Sequence, residues 1–310
     1  MTLPDIFKEP HLIKLDQYDL IEIEGKDARE FLNNQFTNDL KTLADNISSL
    51  GSWCSIKGRV LYTFRIWCVN ETFQLILPTV QTKTFLKKLQ MYVLRADVRI
   101  RESSEKFIYG LYGKKSDRLF SDFPDNDKSI AKVEDNLVIN IPAPIPRFLI
   151  ISGNNNLEID TLSIESSKEN NHWNLLDIMA GVPEILPDTA DMFLPQMLNL
   201  EQLGGLSFQK GCYPGQEIVA RVKYRGELKK QLYKATVSAN SPIKPGSPLI
   251  TSEDDSEAET VIGQVVNAVQ LEENQWMLLA VINISVVTHS NISNIRLQQE
   301  KKAILRIFSE

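Results

Sequence analysis

At 310 residues the chain is longer than one ordinary domain, so two or three units with ample core are expected. Its 43% hydrophobic and 24% charged residues are those of an ordinary soluble protein. The net charge of −6, from 40 acids against 34 bases, argues against a general nucleic-acid binder, which needs a concentrated basic surface to neutralise phosphates.

In chain order, residues 19–24 read as a strand ending at Gly25. Asp27 then caps a helix whose apolar positions Ala28, Phe31, Leu32, Phe36 and Leu40 approximate the 3.6-residue period. Residues 53–56, a turn at Lys57-Gly58 and residues 60–69 have the pattern of a hairpin. Residues 73–77 add a strand; Phe85, Leu86, Leu89, Tyr92 and Val93 share one side of a helix; 98–100 returns as a strand. This is an α+β block on an antiparallel sheet, not a doubly wound parallel one. Between 101 and 180 the strand-like runs are 107–111, 137–141 and 148–151, with turn material at Asn154-Asn155-Asn156 and Glu169-Asn170-Asn171. Beyond residue 228 the texture changes to β-like runs at 232–237, 261–269, 276–284 and 303–308. Prolines 242, 245 and 248 and an acidic loop, 253–259, separate them. That predicts a small C-terminal β-barrel over 229–310, after an α+β region over 1–228 with a break near 100.

Three cysteines, Cys54, Cys68 and Cys212, without CxxC spacing suggest neither a disulfide framework nor a zinc site, and point to a reducing, cytoplasmic setting. The N-terminal residues lack the pattern of a signal peptide, and no window approaches the ~20 apolar residues that span a bilayer. Neither Gly-x-Gly-x-x-Gly nor a P-loop is present, which disfavours a nucleotide cofactor, and His11, His172 and His289 are not at metal-ligand spacing. The basic cluster Arg221, Lys223, Arg225, Lys229 and Lys230 reads as a solvated face.

The densest chemistry lies in Lys210-Gly211-Cys212-Tyr213-Pro214-Gly215-Gln216-Glu217. Tyr-Pro-Gly-Gln suits a type II turn, with proline presetting φ and glycine accepting φ > 0. Such a turn holds Cys212 on an exposed, constrained bend, where the Lys210 cation favours a thiolate. A half-buried cysteine beside an ordinary turn is the competing reading. Glu217 and Arg221, four apart, would pair on a helix and buttress the loop.

This octet, with Arg221 and Gly226 following, resembles the signature of the YgfZ family of folate-binding proteins. These are paralogues of the glycine-cleavage T-protein and relatives of a mitochondrial iron–sulfur cluster assembly factor. Gly25-Lys26-Asp27 with Phe31-Leu32, Gln35, Thr37 and Asp39 fits the first block of that family, and Cys54 to Gly58 the second. Arg147-Phe148-Leu149-Ile150 fits the third and Trp173 to Pro183 the fourth. Pro195-Gln196-Met197-Leu198-Asn199-Leu200 then runs through Gly204-Gly205-Leu206-Ser207-Phe208 into the octet. The blocks span most of residues 15–230; their order and spacing are more specific than any one of them.

The resemblance implies two related antiparallel α+β halves, a T-protein-like folate-binding fold around a central opening, with a C-terminal β-barrel. It implies a tetrahydrofolate site with Tyr18 and Trp173 as its aromatic faces. Tyr18 departs from the tryptophan of the family pattern, and aromatic stacking adds about 0.5–1.5 kcal/mol beyond area burial. Arg147 suits a ligand carboxylate or a structural ion pair equally. Gln196 and Asn199 either line the approach to Cys212 or hold an irregular backbone.

Two functions compete. A T-protein-like aminomethyltransferase relies on an acidic pair near the folate amine, and Tyr62-Thr63 stands there instead, so the amine lacks an anionic partner. The favoured reading is a folate-binding protein that assists iron–sulfur client enzymes, tRNA modification among them indirectly, with Cys212 as functional thiol supported by Lys210 and Tyr213. One cysteine cannot house a cluster, which usually takes about four thiolates, so any cluster contact is shared or transient; a redox duty is the alternative. A third reading makes the loop a docking surface. Neither a conventional enzyme, direct nucleic-acid binding, membrane attachment nor a resident metal is expected.

Overall fold

A computed structural model of the chain describes residues 7–120, 123–124, 128–159, 162, 164–165, 170–252, 259–288 and 294–308. The acidic segment 253–258, Glu169 and His289 lie outside them. The chain divides into two compact units, residues 1–51 with 64–176, and residues 52–63 with 177–310. The stretch 177–228 therefore groups with the barrel, whereas the sequence reading groups it with the α+β region.

The elements in order are β1 (His11–Lys14), β2 (Tyr18–Glu24), α1 (Ala28–Asn33), β3 (Ser49–Cys54), β4 (Val60–Val69), β5 (Thr72–Pro78), α2 (Thr79–Gln90) and β6 (Arg99–Glu102). There follow β7 (Phe107–Tyr112), β8 (Ile130–Val133), β9 (Asn136–Asn140), β10 (Arg147–Ser152), β11 (Ile164–Glu165) and α3 (Asn170–Met179). One sheet has the order β3-β4-β5-β2-β6 and another β11-β1-β7-β10-β9-β8, antiparallel except where β1 runs parallel to β11. The apolar side of α2 covers the first sheet: Phe85 meets Phe36 and Phe64 at ring separations of 6.3 and 6.0 Å. In the second sheet β10 is buried along its whole length, and Phe148 and Ile150 join Leu12, Tyr109, Leu111, Phe120, Val138 and Leu157 in one core.

Two expectations in this region are corrected. The helix after Gly25 is only six residues long, and Asp27 does not cap it through its side chain. Its carboxylate instead accepts from the Asp97 N–H at 2.8 Å, tying the helix entry to the chain before β6. Asn170 and Asn171, read as turn material, open α3.

The remaining elements are α4 (Gln216–Arg225), β12 (Lys230–Ser238), β13 (Pro248–Ser252), β14 (Glu259–Glu272), β15 (Gln275–Asn283), α5 (Ile284–Thr288), β16 (Arg296–Leu297) and β17 (Glu300–Ile307). The six strands close into a barrel in the order β12-β15-β14-β13-β16-β17, as the periodicity beyond residue 228 predicts. The barrel is filled by residues that alternate inward, among them Ala235, Val237, Val265, Leu278, Ala280 and Leu305.

Glu300 ties the loop after β12 to β17. Its carboxylate accepts from the Asn240 N–H at 3.0 Å, the Asn240 amide at 2.9 Å and the Ser241 N–H at 3.3 Å. The two backbone hydrogen bonds hold its carboxyl below the usual 4.5. A lowered folded-state value means stabilisation that is present above the ordinary carboxylate range and lost as pH falls through the folded value. Glu300→Gln is therefore expected to lower the unfolding midpoint near neutral pH, and the gap to the parent protein should close in acid. An equal gap at both pH values in thermal unfolding would refute the assignment.

Candidate functional site

The turn after Cys212 forms as its residues dictate. The Gln216 N–H donates to the Tyr213 carbonyl at 3.1 Å, and Gly215 has φ 79° and ψ 2°, the third-position geometry of a type II turn. Helix α4 starts directly behind it. Gly215 lies against the tip of the β3–β4 hairpin, where an added Cβ would fall 2.4 Å from the Ser55 carbonyl oxygen and 2.5 Å from Gly58 Cα. The hairpin tip is itself tight: the Ser55 N–H donates to the Arg59 carbonyl at 2.8 Å, the Gly58 N–H donates to the Ser55 carbonyl at 2.9 Å, and Gly58 has φ 71°.

A third segment locks the pair. The Ser55 hydroxyl donates to Asp191 at 2.6 Å, the Val60 N–H donates to the Phe193 carbonyl at 2.8 Å, and the Arg59 guanidinium donates to the Met192 carbonyl. Sequence reading missed Ser55 and Asp191 because they are 136 residues apart. The Lys57-Gly58 turn and the Pro214-Gly215 turn were both visible, but not that they meet.

Of the three cysteines, only Cys212 is exposed. Burial pushes the Cys54 thiol up to about 12; a Ser52 hydrogen bond opposes this, and the Asp191 charge adds to it. Burial also raises Cys68. Both are held as neutral thiols at physiological pH, and a neutral thiol is a poor nucleophile. The residues flanking Cys212 anchor it: Lys210 and Tyr213 are 9% and 6% exposed, and the Lys210 ammonium sits 5.3 Å from the centre of the Tyr213 ring. An added Cβ at Gly211 would meet nothing within 4 Å, so the exposed residues are held from both sides by buried ones.

Burial, and after it the neighbouring Cys54, raises the Tyr213 phenol above its ordinary value, and its hydroxyl has no hydrogen-bond partner. A buried unsatisfied hydroxyl carries a desolvation cost with nothing to offset it. Tyr213→Phe is thus expected to leave the thermal midpoint unchanged or raise it, whereas a clear drop would show that the hydroxyl is bonded.

Gln196 and Asn199 serve the backbone here. Gln196 donates to the Val219 carbonyl of α4 at 2.6 Å, and Asn199 to the Leu232 carbonyl of β12 at 3.3 Å. Glu217 and Arg221 are both exposed on α4, and no ion pair joins them; Lys223 instead pairs with Glu201 at 2.7 Å. Tyr62 stacks on Trp53 at 5.7 Å, and Thr63 accepts from the Ile185 N–H at 2.9 Å. Both side chains are thus engaged in the fold, one by stacking and one by a hydrogen bond.

In the other unit the structure brings Arg147 and Trp173 together. Arg147 is fully buried in β10, with its guanidinium 5.0 Å from the centre of the Trp173 ring and one N–H donated to the Pro142 carbonyl at 3.3 Å. Trp173, in α3, is 4% exposed. Its ring fills the space above Gly110 in β7, where a Cβ would lie 2.6 Å from it. Tyr18 begins β2 opposite Pro78 and is half-buried. His172, also in α3, shares a 3.1 Å hydrogen bond with the buried Tyr112 hydroxyl, in a group that includes Phe7. Among the described residues no group of three or more His, Cys, Asp or Glu could hold a metal ion, and no helix is long and apolar enough to cross a membrane.

Two sheets of this kind followed by a closed barrel define a protein with the aminomethyltransferase fold. The crystal structure of glycine cleavage system aminomethyltransferase T from Bartonella henselae superposes with a TM-score of 0.71, covering 98% of this chain and 86% of that one at 14% identity. Sequence comparison narrows the class. The chain is 31% identical over 285 residues to the tRNA-modifying protein YgfZ of Photorhabdus laumondii, covering 90% of this chain and 86% of the relative. It is 32% identical over 279 residues to the protein of that name from Escherichia coli O157:H7, covering 88% and 85%. No family model matches. The chain belongs to the YgfZ family of tRNA-modifying proteins.

Proposed function

We propose that this protein binds tetrahydrofolate and assists iron–sulfur client enzymes in the cytoplasm, reaching tRNA modification through them, with Cys212 as its working thiol. The observation that carries the reading is that Cys212 is the one exposed thiol of three and sits on a loop whose flanks, Lys210 and Tyr213, are buried. A loop built this way presents a sulfur to a partner at little cost in ordering. Aminomethyl transfer is disfavoured because neither Tyr62 nor Thr63 offers an anion and both are engaged in the fold.

The residues suit a folate in kind: aromatic faces at Tyr18 and Trp173 for the pterin, and a cation at Arg147 for the glutamate tail. Tyr18 is accessible as it stands, whereas Trp173 and Arg147 are reached only by displacing their mutual contact. Titration calorimetry with tetrahydrofolate should give micromolar binding, about −8 kcal/mol, weakened in Tyr18→Ala and Trp173→Phe; undetectable binding to the parent protein sinks the folate reading. For the thiol, Cys212→Ser should abolish support of iron–sulfur enzyme activity in cells lacking the wild-type protein. Full retention would leave docking as the function of the loop.

A further inference from the structure

A cavity of about 530 Å³ is lined by residues of the barrel-containing unit alone; Tyr18, Arg147 and Trp173 belong to the other unit. It is within the range of small-molecule sites, roughly 300–1,000 Å³. Its apolar walls include Leu203, Leu279, Ile307 and Phe308, and the polar side chains Asn199, Gln202, Gln231, Tyr233 and Lys234 also line it.

Lys234, the charged one among them, defines what it takes. The Asn199 amide is oriented by its N–H bond to the Leu232 carbonyl, which leaves Oδ1 as a buried acceptor with no partner. Lys234 donates to the Met179 carbonyl at 3.4 Å, leaving two further N–H groups, and among the described residues no Asp or Glu lines the cavity. Among the described residues the field is that of one cation among apolar and neutral polar side chains. We propose that this cavity binds a small amphipathic organic anion: an aryl or alkyl carboxylate whose apolar part lies against Leu203, Leu279, Ile307 and Phe308 and whose carboxylate pairs with Lys234.

The test titrates the full chain with indole-3-propionate and, in parallel, with its neutral amide, indole-3-propionamide. The parent protein should bind the carboxylate about tenfold more tightly than the amide, as expected when a neutral hydrogen bond becomes a charge-assisted one. Lys234→Met should bind both probes equally, and Val287→Trp, at the rim, should block both. Lys234 is half-exposed at a barrel strand, so Lys234→Met decides the matter even where the tryptophan variant folds poorly. Absence of saturable carboxylate binding, or a carboxylate preference that survives Lys234→Met, overturns the proposal. Displacement of the probe by tetrahydrofolate would merge the cavity with the folate site and overturn it as a second one.

Discussion

Trp173→Ala is expected to destabilise the protein by about 3–5 kcal/mol, the range for removing a large buried aromatic side chain. The ring is 4% exposed, occupies the space above Gly110 and lies against the guanidinium of the fully buried Arg147. Deleting it opens a cavity and strips a buried cation of its aromatic partner, so the upper half of the range is the expectation. Chemical unfolding monitored by circular dichroism measures this directly. A loss under about 1 kcal/mol, the scale of an ordinary surface change, would mean that the ring is dispensable to packing. The consequence for ligand studies is practical: an alanine variant that fails to bind folate would report unfolding, which is why Trp173→Phe is the informative substitution.

Gly215→Ala should be nearly as disruptive, for a different reason. A side chain at φ 79° is strained, at a cost of about 1–3 kcal/mol. Its Cβ would also fall within 2.5 Å of backbone atoms of Ser55 and Gly58, which cannot rotate away as a side chain would. The loop must then lift off the hairpin tip, taking Cys212 with it. The expected result is faster proteolysis within 210–216 and loss of cellular function, with the barrel still folded. Unaltered protease resistance would show that the contact between the turns is not what holds the loop.

The sequence made much of the fold legible because strands such as β10 and β15 are near-continuous apolar runs and the turns carry glycine and proline. The hairpin turn at Lys57-Gly58 and the Tyr213–Gln216 turn followed from local chemistry alone. β1, β8, β11, β13 and β16 were missed: β1, β8, β11 and β16 are only two to four residues long, and Pro248, read as a separator, opens β13. The helix after Gly25 was overextended because Phe36 and Leu40 are core residues that keep a helical spacing after the helix has ended. At the site, the exposure of Cys212 was readable from its turn. That Lys210 would lie over Tyr213 was not, nor that Arg147 would meet Trp173, since the latter pair depends on how β10 and α3 are placed by long-range packing. Whether Glu217 and Arg221 pair was likewise undecidable from spacing, which gives proximity on a helix but no incentive to pair in water.

The hairpin residues 52–63 are made early, yet they pack with residues 177–310, which leave the ribosome much later. During synthesis the Val60 N–H and the hairpin tip at Ser55 and Gly58 lack their native neighbours until the segment carrying Phe193 and Gly215 arrives. Chain order thus makes closure of the Cys212 loop a late event in the folding of its unit. A nascent or truncated chain ending before residue 191 cannot form the Ser55–Asp191 lock, and it would expose the hairpin to chaperones and proteases in place of a client.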